Sequence, residues 1–150
     1  MQKLEPVRPK PNNHKAVGEQ SEAIIIAKLV ELGYNVLLPF GDNQRYDLII
    51  EDAALNFHRI QCKTGWVESK GAYIEFKTAS SYYHTRQGRT EHERKGYRGQ
   101  VDYFAVYSPD TGKVYLVPMA HASTVNCFLR LVPTKNNQGK HVRWAKDYEL

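Results

Sequence analysis

Residues 18–50 read GEQSEAIIIAKLVELGYNVLLPFGDNQRYDLII and indicate a helix followed by two strands. Apolar residues recur at helical spacing over residues 17–32, which predicts a helix that ends at Gly33, a residue type common just beyond a helix C-terminus. We expect Ser21 or the region of Gly18 to cap its N-terminus. These segments predict a helix that packs on a sheet.

Outside this stretch, the chain consists mostly of alternating, β-rich segments. Residues 125–132 are compatible with a strand or a short helix, and their β-branched and aromatic content favours a strand. We expect an α+β or mixed α/β domain around one sheet. The predicted strands are 36–38, 46–50, 57–63, 72–78, 101–107 and 113–117.

Length and composition exclude several classes of protein. The chain has 150 residues, 41% hydrophobic and 25% charged, which is typical of one soluble globular domain. Its longest strictly apolar run, Ala23–Ala27, is far below the roughly 20 residues of a membrane-spanning helix. Cys62 and Cys127 form neither a CxxC pair nor a disulfide framework. We expect a cytoplasmic protein with no membrane partner.

The positive charge is concentrated in three segments. Residues 1–15 carry a net +3, residues 81–99 a net +3 and residues 135–146 a net +4, whereas the whole chain carries only +5. The first segment predicts a flexible basic arm over residues 1–16, ahead of a single domain over 17–150. Charge alone leaves two interpretations open, a polyanionic partner met by loops at about 81–99 and 133–146, or a solvated surface with chance clustering.

Four side chains form a candidate catalytic site. Asp47 is the only acid in an otherwise apolar strand, and Gln61 and Lys63 share one face of the next strand because strand side chains alternate. Glu22 lies near the start of the helix that packs on this sheet. Carboxylate and amide oxygens, with the Cys62 backbone carbonyl, are hard ligands that suit Mg²⁺. The alternative is a polar strand face without catalytic function.

The motif and its surroundings resemble a known family. YDLII at 46–50 followed by RIQCKTG at 59–65, after a helix that carries Glu, resembles the PD-(D/E)XK nuclease superfamily. Together with the stretch quoted above, VDYFAVYSPDTGKVYLVP, LRLVPTKNNQ and RWAKDYEL are similar to the group I intron-encoded homing endonucleases of that superfamily, of the cyanobacterial type. The resemblance runs from about Val17 to Leu150.

This resemblance implies a PD-(D/E)XK-type mixed β-sheet flanked by helices, and a metal-dependent endonuclease that cuts double-stranded DNA at a long specific site. The implied cofactor is Mg²⁺, with Mn²⁺ able to substitute, and the implied assembly is a homo-oligomer, a dimer or a tetramer. Asp47 then matches the metal-binding Asp, Gln61 the variable acidic position, Lys63 the catalytic Lys and Glu22 the helix Glu. Glu19 is the competing choice for the last role, one helical turn earlier.

Contacts with DNA are expected from the basic segments and from Arg45, which lies two residues before the candidate metal ligand Asp47. Arg and Gln can read base edges, whereas Lys mainly contacts phosphate. Such a protein would act at the nucleoid. The candidate DNA-binding residues are Arg45, Tyr82, Tyr83, Arg86, Arg89, Arg94, Lys95, Arg98, Lys135, Asn137, Lys140 and Arg143.

Two rival functions stay open from the sequence. The first is another nuclease of the same superfamily, a restriction enzyme or a Holliday junction resolvase. The second is a DNA-binding module that keeps the fold without catalysis.

Overall fold

The computed structural model describes residues 4–7 and 12–150. Residues 1–3 and 8–11 of the predicted arm therefore lie outside the described part of the chain. The described region contains one α-helix, α1 (His14–Glu31), ten strands and two short 3₁₀ turns, Met119–His121 and Ala145–Asp147. The strands are β1 (Asn35–Leu37), β2 (Leu48–Glu51), β3 (Phe57–Thr64), β4 (Trp66–Glu68), β5 (Tyr73–Lys77), β6 (Ala79–Arg86), β7 (Arg89–Gly96), β8 (Tyr103–Ser108), β9 (Lys113–Pro118) and β10 (Asn126–Arg130).

Helix α1 begins three residues before the predicted start. The Asn13 side chain accepts a hydrogen bond from the Ala16 N–H at 3.1 Å, so Asn13 caps the helix and the expected cap at Ser21 or Gly18 is wrong. Ser21 instead lies on the buried face of the helix, one turn before Ile25. The predicted end is confirmed, since Gly33 adopts a φ of +92° just beyond the helix.

The strands form three sheets rather than one. The main sheet has the order β1-β2-β3-β8-β9, and β3 pairs with β8 in parallel while its other pairs are antiparallel. A second, antiparallel sheet has the order β10-β5-β4. The third is a two-stranded ribbon of β6 and β7. The strand predicted within residues 125–132 is confirmed as β10, whereas β4 is not among the predicted strands.

Two apolar layers cover the two faces of the main sheet. On one face, Ile25 and Leu29 of α1 pack against Leu48 and Ile60. On the other face the three-stranded sheet packs, with the rings of Phe76 and Phe104 5.8 Å apart. The predicted α/β class with a mixed sheet is confirmed. In the part of the chain that the structure describes, a helix covers one face only, because the second sheet occupies the other.

The expected loop at 81–99 is wrong for most of its length. Residues 79–96 form the ribbon, whose strands pair in continuous register from Ala79↔Gly96 to Arg86↔Arg89. Its side chains are exposed from residue 81 to residue 96, on both faces. The apolar alternation that normally marks a strand is absent because neither face is buried. The second expected loop is confirmed as irregular chain up to the 3₁₀ turn at Ala145.

No helix among residues 4–7 and 12–150 has the length and apolar character needed to cross a membrane.

Candidate active site

The candidate site lies where β2 ends its pairing with β3. Asp47 immediately precedes β2, and its N–H donates to the Ile60 carbonyl at 2.9 Å. The next N–H on that edge of β3, from Cys62, donates to the Asp47 carboxylate at 2.7 Å. The Asp47 carboxylate therefore replaces the missing strand partner, which holds it against the middle of β3.

Cys62 offers its backbone to this site, while its thiol is enclosed. The N–H and C=O of one strand residue point to the same edge, so the Cys62 carbonyl points toward the edge that Asp47 occupies. The thiol packs with the core between β3 and α1. Burial, followed by the nearby carboxylates of Asp47 and Glu22, raises the pKa of the Cys62 thiol well above its ordinary value. The thiol stays protonated at neutral pH, and the carbonyl is the group available to a ligand.

Glu22 approaches the same point from the helix. Ser21 and Thr64 share a hydrogen bond of 2.6 Å between their hydroxyl oxygens, which ties α1 to β3 next to Lys63. Glu22 is half-buried, and burial, Asp47 and then Glu19 raise its pKa. Glu19 is exposed. The helix therefore brings Glu22 within electrostatic range of Asp47.

Asp47 is held in an environment that opposes its ionisation. Burial raises the pKa of Asp47, while the Cys62 N–H and the Lys63 ammonium act in the opposite direction. Two partly buried carboxylates, Asp47 and Glu22, thus lie close together and repel each other when both are charged. A bound cation would relieve this repulsion.

Gln61 and Lys63 point to the face opposite the Cys62 thiol, as the alternation predicts. Their register partners on β8 are Phe104 and Val106, which lie in the core on the second-sheet side. The Lys63 Nζ donates to the Tyr97 hydroxyl at 3.1 Å and lies 4.8 Å from the centroid of that ring. The structure therefore places Asp47, Gln61 and Lys63 along one stretch of β3. Glu22 lies on the helix side of the sheet, within electrostatic range of Asp47.

Arg45 has a different place from the one expected of it. Its guanidinium donates to the Gln100 side chain (2.8 Å), to the hydroxyls of Ser80 (2.7 Å) and Tyr82 (2.6 Å), and to the carbonyls of Lys95 (3.2 Å) and Gly96 (3.1 Å). These five bonds match the five N–H donors of an arginine. In this structure the donors of Arg45 hold the base of the ribbon, and a contact of Arg45 with a phosphate stays a prediction.

Two more of the expected DNA-binding residues are engaged within the protein. The Tyr82 hydroxyl accepts from Arg45, and the Arg143 Nε donates to the His121 carbonyl. The remaining candidates are exposed and lie on or beside the ribbon or in the irregular segment after β10. They are Tyr83, Arg86, Arg89, Arg94, Lys95, Arg98, Lys135, Asn137 and Lys140.

Two residues of this region, Tyr97 and Thr64, were not singled out by the sequence. Tyr97 is only 4% exposed and lies between the ribbon and the main sheet. A signal for it existed, since Tyr97 is a large aromatic residue that ends a long polar, glycine-containing segment. Thr64 follows the motif directly, but nothing local indicates that it bonds a helix 43 residues earlier.

The donor set of the site suits a hard divalent cation. The ligands predicted from the sequence are the carboxylates of Asp47 and Glu22, the amide oxygen of Gln61 and the carbonyl of Cys62. Across residues 4–7 and 12–150, no three His, Cys, Asp or Glu side chains are grouped as metal ligands. Only two of the four predicted ligands, the carboxylates of Asp47 and Glu22, belong to these types. The other two are the neutral amide of Gln61 and the backbone carbonyl of Cys62. Oxygen ligands of this kind fit Mg²⁺ better than Zn²⁺.

The mixed sheet brings the Asp47 carboxylate and Lys63 to β3, which is the arrangement that the resemblance to a nuclease superfamily implies. The family model described as PD-(D/E)XK endonuclease matches residues 12–150, and the chain belongs to this family. The sequence resemblance to the superfamily is thereby confirmed.

A solved structure adds to the description of the fold. The bacterial homing endonuclease I-Ssp6803I is similar to this chain, with a TM-score of 0.70 and 23% sequence identity. The match covers 92% of this chain and 89% of that chain. The similarity agrees with the narrower resemblance noted from the sequence, and at this identity it describes the fold. No curated protein matches the chain.

Proposed function

We propose that this protein is a sequence-specific endonuclease that hydrolyses phosphodiester bonds of double-stranded DNA with a divalent metal and that promotes intron mobility. The observation that carries the proposal is the Asp47 carboxylate bonded to the Cys62 N–H at 2.7 Å, with Lys63 one residue further along β3. In a member of an endonuclease family, a partly buried carboxylate next to the strand that carries a lysine supports a catalytic role for both.

Each residue of the site has a role in this proposal. Asp47, Gln61, Glu22 and the Cys62 carbonyl would hold Mg²⁺, or Mn²⁺ in its place. When bound, the ion supplies Lewis-acid polarisation of the scissile phosphate and a water of lowered pKa. Lys63 orients the attacking water and stabilises the negative charge that builds on the phosphate. The expected products carry 5′-phosphate and 3′-hydroxyl ends.

The ribbon supports duplex DNA as the substrate. A two-stranded β-ribbon fits the major groove of B-form DNA, and this one stands out from the core with exposed side chains on both faces. It carries Arg86, Arg89, Arg94 and Lys95 against two acids, Glu91 and Glu93. Lys135 and Lys140 are exposed as a second basic segment and would contact phosphates.

Homo-oligomerisation is part of the proposal. A chain of 17.3 kDa covers only part of a long DNA site, so two or more copies on a site with two-fold symmetry are expected. The end of β1 and the loop after it support this assembly. β1 is an edge strand of the main sheet, and Leu37, Leu38 and Phe40 are exposed there.

The test is a cleavage assay on a plasmid library of duplex sites, with Mg²⁺ or with EDTA. We expect discrete cuts with Mg²⁺ that disappear in EDTA and fall by at least about a hundredfold in Lys63→Ala, because one electrostatic group at the reacting phosphate is worth that much. The matched control is Lys70→Ala, an exposed lysine in the turn between β4 and β5.

The outcomes separate the rival functions. Cuts confined to four-way junctions would favour a junction resolvase over the proposed activity. Binding of DNA that is equally tight in EDTA, with no cuts under any divalent metal, would replace the nuclease proposal with a DNA-binding module.

A further inference from the structure

The hydroxyl of Tyr97 is the contact that holds the end of the Lys63 side chain. The ammonium of a lysine sits on a flexible four-carbon side chain. Its position is therefore not fixed unless a hydrogen-bond partner holds it. In this structure the Lys63 Nζ donates to the Tyr97 hydroxyl at 3.1 Å. The distance and the burial of the tyrosine describe a specific acceptor rather than a passing surface contact.

Tyr97 is itself held on several sides. Its ring meets Phe104 edge-on, with the centroids 5.6 Å apart and the planes at 90°. The Arg45 guanidinium carbon lies 4.2 Å from the ring centroid. The Tyr97 carbonyl accepts from the N–H groups of Gln100 and Val101 in the turn that follows. A ring fixed in this way offers its hydroxyl in one direction.

Arg45 connects Tyr97 both to the ribbon and to the segment that carries Asp47. It precedes Asp47 by two residues, and its donors bond the base of β6 and β7. The ring of Tyr97, which follows β7 directly, therefore lies between the residue that anchors the ribbon and the lysine of the site. A shift of the ribbon would move the Tyr97 hydroxyl and with it the ammonium of Lys63.

We propose that Tyr97 is a positioning residue that orients the Lys63 ammonium, and that Arg45 sets its place relative to the DNA-contacting ribbon. This inference rests on the proposed function, because it assumes that Lys63 acts in cleavage. It goes beyond that function by assigning a role to a residue outside the motif. It also connects the ribbon to Lys63 through Arg45 and Tyr97.

The test compares the wild-type protein with Tyr97→Phe, which removes the hydroxyl and keeps the ring. We expect the single-turnover cleavage rate to fall about tenfold, the size of effect that a lost hydrogen bond to a charged group produces. DNA affinity in EDTA should stay unchanged, and the melting temperature should fall no further than it does in the matched control. The matched control is Tyr115→Phe, which removes the hydroxyl of an equally buried tyrosine that bonds Thr111 at 3.0 Å.

A second measurement does not depend on cleavage. Nuclear magnetic resonance of the lysine ammonium groups in the metal-free protein, with the Lys63 signal assigned by its loss in Lys63→Arg, should show slower reorientation for Lys63 than for the exposed Lys135. In Tyr97→Phe this difference should disappear. A Lys63 ammonium as mobile as that of Lys135 in the wild type, or an unchanged or increased cleavage rate in Tyr97→Phe, would overturn the inference. A wild type that does not cut DNA would refute the proposed function instead, and the ammonium mobility would still decide the role of Tyr97.

Discussion

The surroundings of Asp47 act in opposite directions on the protonation of its carboxyl group. Its carboxylate accepts the Cys62 N–H in place of a strand partner, which favours the charged form. Burial acts more strongly in the opposite direction and raises the pKa of Asp47, and Glu22 adds a second carboxylate nearby. The metal-free site is therefore electrostatically strained at neutral pH, a cost that functional sites often carry in exchange for activity.

Replacing Asp47 by Asn should stabilise the metal-free protein while it abolishes cleavage. Asn keeps an oxygen that can accept from the Cys62 N–H, but it removes the charge that is repelled by Glu22. We expect the melting temperature at pH 7 to rise by about 2–4 °C, which corresponds to ~1 kcal/mol for a chain of this size. Thermal unfolding in EDTA measures this change. A lower melting temperature for Asp47→Asn would contradict the prediction.

The pH dependence of this gain follows from the direction of the shift. Because the pKa of Asp47 is raised in the folded state, its carboxyl destabilises the fold progressively as the pH rises above the ordinary value of 3.8. The advantage of Asp47→Asn should therefore be absent below about pH 3.8, grow as the pH rises through the raised pKa of Asp47, and stay constant above it. Asp110→Asn is the control, since Asp110 also accepts a backbone N–H, from Val67 at 2.8 Å, but lies on an exposed turn.

Among the elements, the ribbon of β6 and β7 depends most on a single side chain. Two-stranded ribbons are marginal in water unless they pack on something else. This one has no buried residue from position 80 to position 96, so its base is held by Arg45 and the chain connections rather than by a core.

Arg45→Ala should loosen the ribbon selectively. We expect faster amide hydrogen exchange across residues 79–96, with α1 and β8 unchanged, because those elements rest on separate apolar layers. Arg45→Lys should act in the same direction, since a lysine keeps the charge but not the planar fork of five donors. Exchange in Arg45→Lys that equals the wild type would show that charge, and not geometry, holds the ribbon.

The tip of the ribbon should bind DNA at the expense of local stability. Arg86 and Arg89 face each other in the ladder, and like charges directly opposite destabilise a strand pair. Replacing both with Gln should leave the melting temperature equal or higher, lower DNA affinity in EDTA at least about tenfold, and reduce the salt dependence by about two counterions. Lys70→Gln with Lys113→Gln removes the same charge elsewhere as a control, and equal losses of affinity in both pairs would contradict a specific role for the tip.

At the scale of the whole molecule, the exposed apolar edge predicts self-association. We expect sedimentation velocity to give at least twice the chain mass of 17.3 kDa. Leu38→Glu should reduce the mass to that of one chain, because it places a charge on the open edge beside Leu37 and Phe40. Leu55→Glu is the control, as Leu55 is similarly exposed on the turn between β2 and β3. A single-chain mass for the wild type would contradict the oligomer.

The elements whose side chains follow a buried face could be recognised from local pattern alone. The strands of the main sheet alternate, and α1 is marked by its apolar run and by the Gly33 that follows it. Asp47 is the only acid in its predicted strand, and Gln61 and Lys63 share one face of the next one. These features need only neighbours in sequence, because burial of one face imposes the period. The fold class and the motif residues can therefore be predicted from the sequence alone.

The ribbon, the anchor at Arg45 and the partner of Lys63 required the folded chain. The ribbon buries neither face, so its sequence lacks the apolar alternation from which a strand is predicted. Arg45 meets its partners 35 to 55 residues away, and Tyr97 lies 34 residues from Lys63. Such contacts depend on how separate elements are brought together in space, and no local spacing encodes them. Secondary structure and motif follow from short-range periodicity, whereas the coupling of the site to the ribbon exists only once the sheet has assembled.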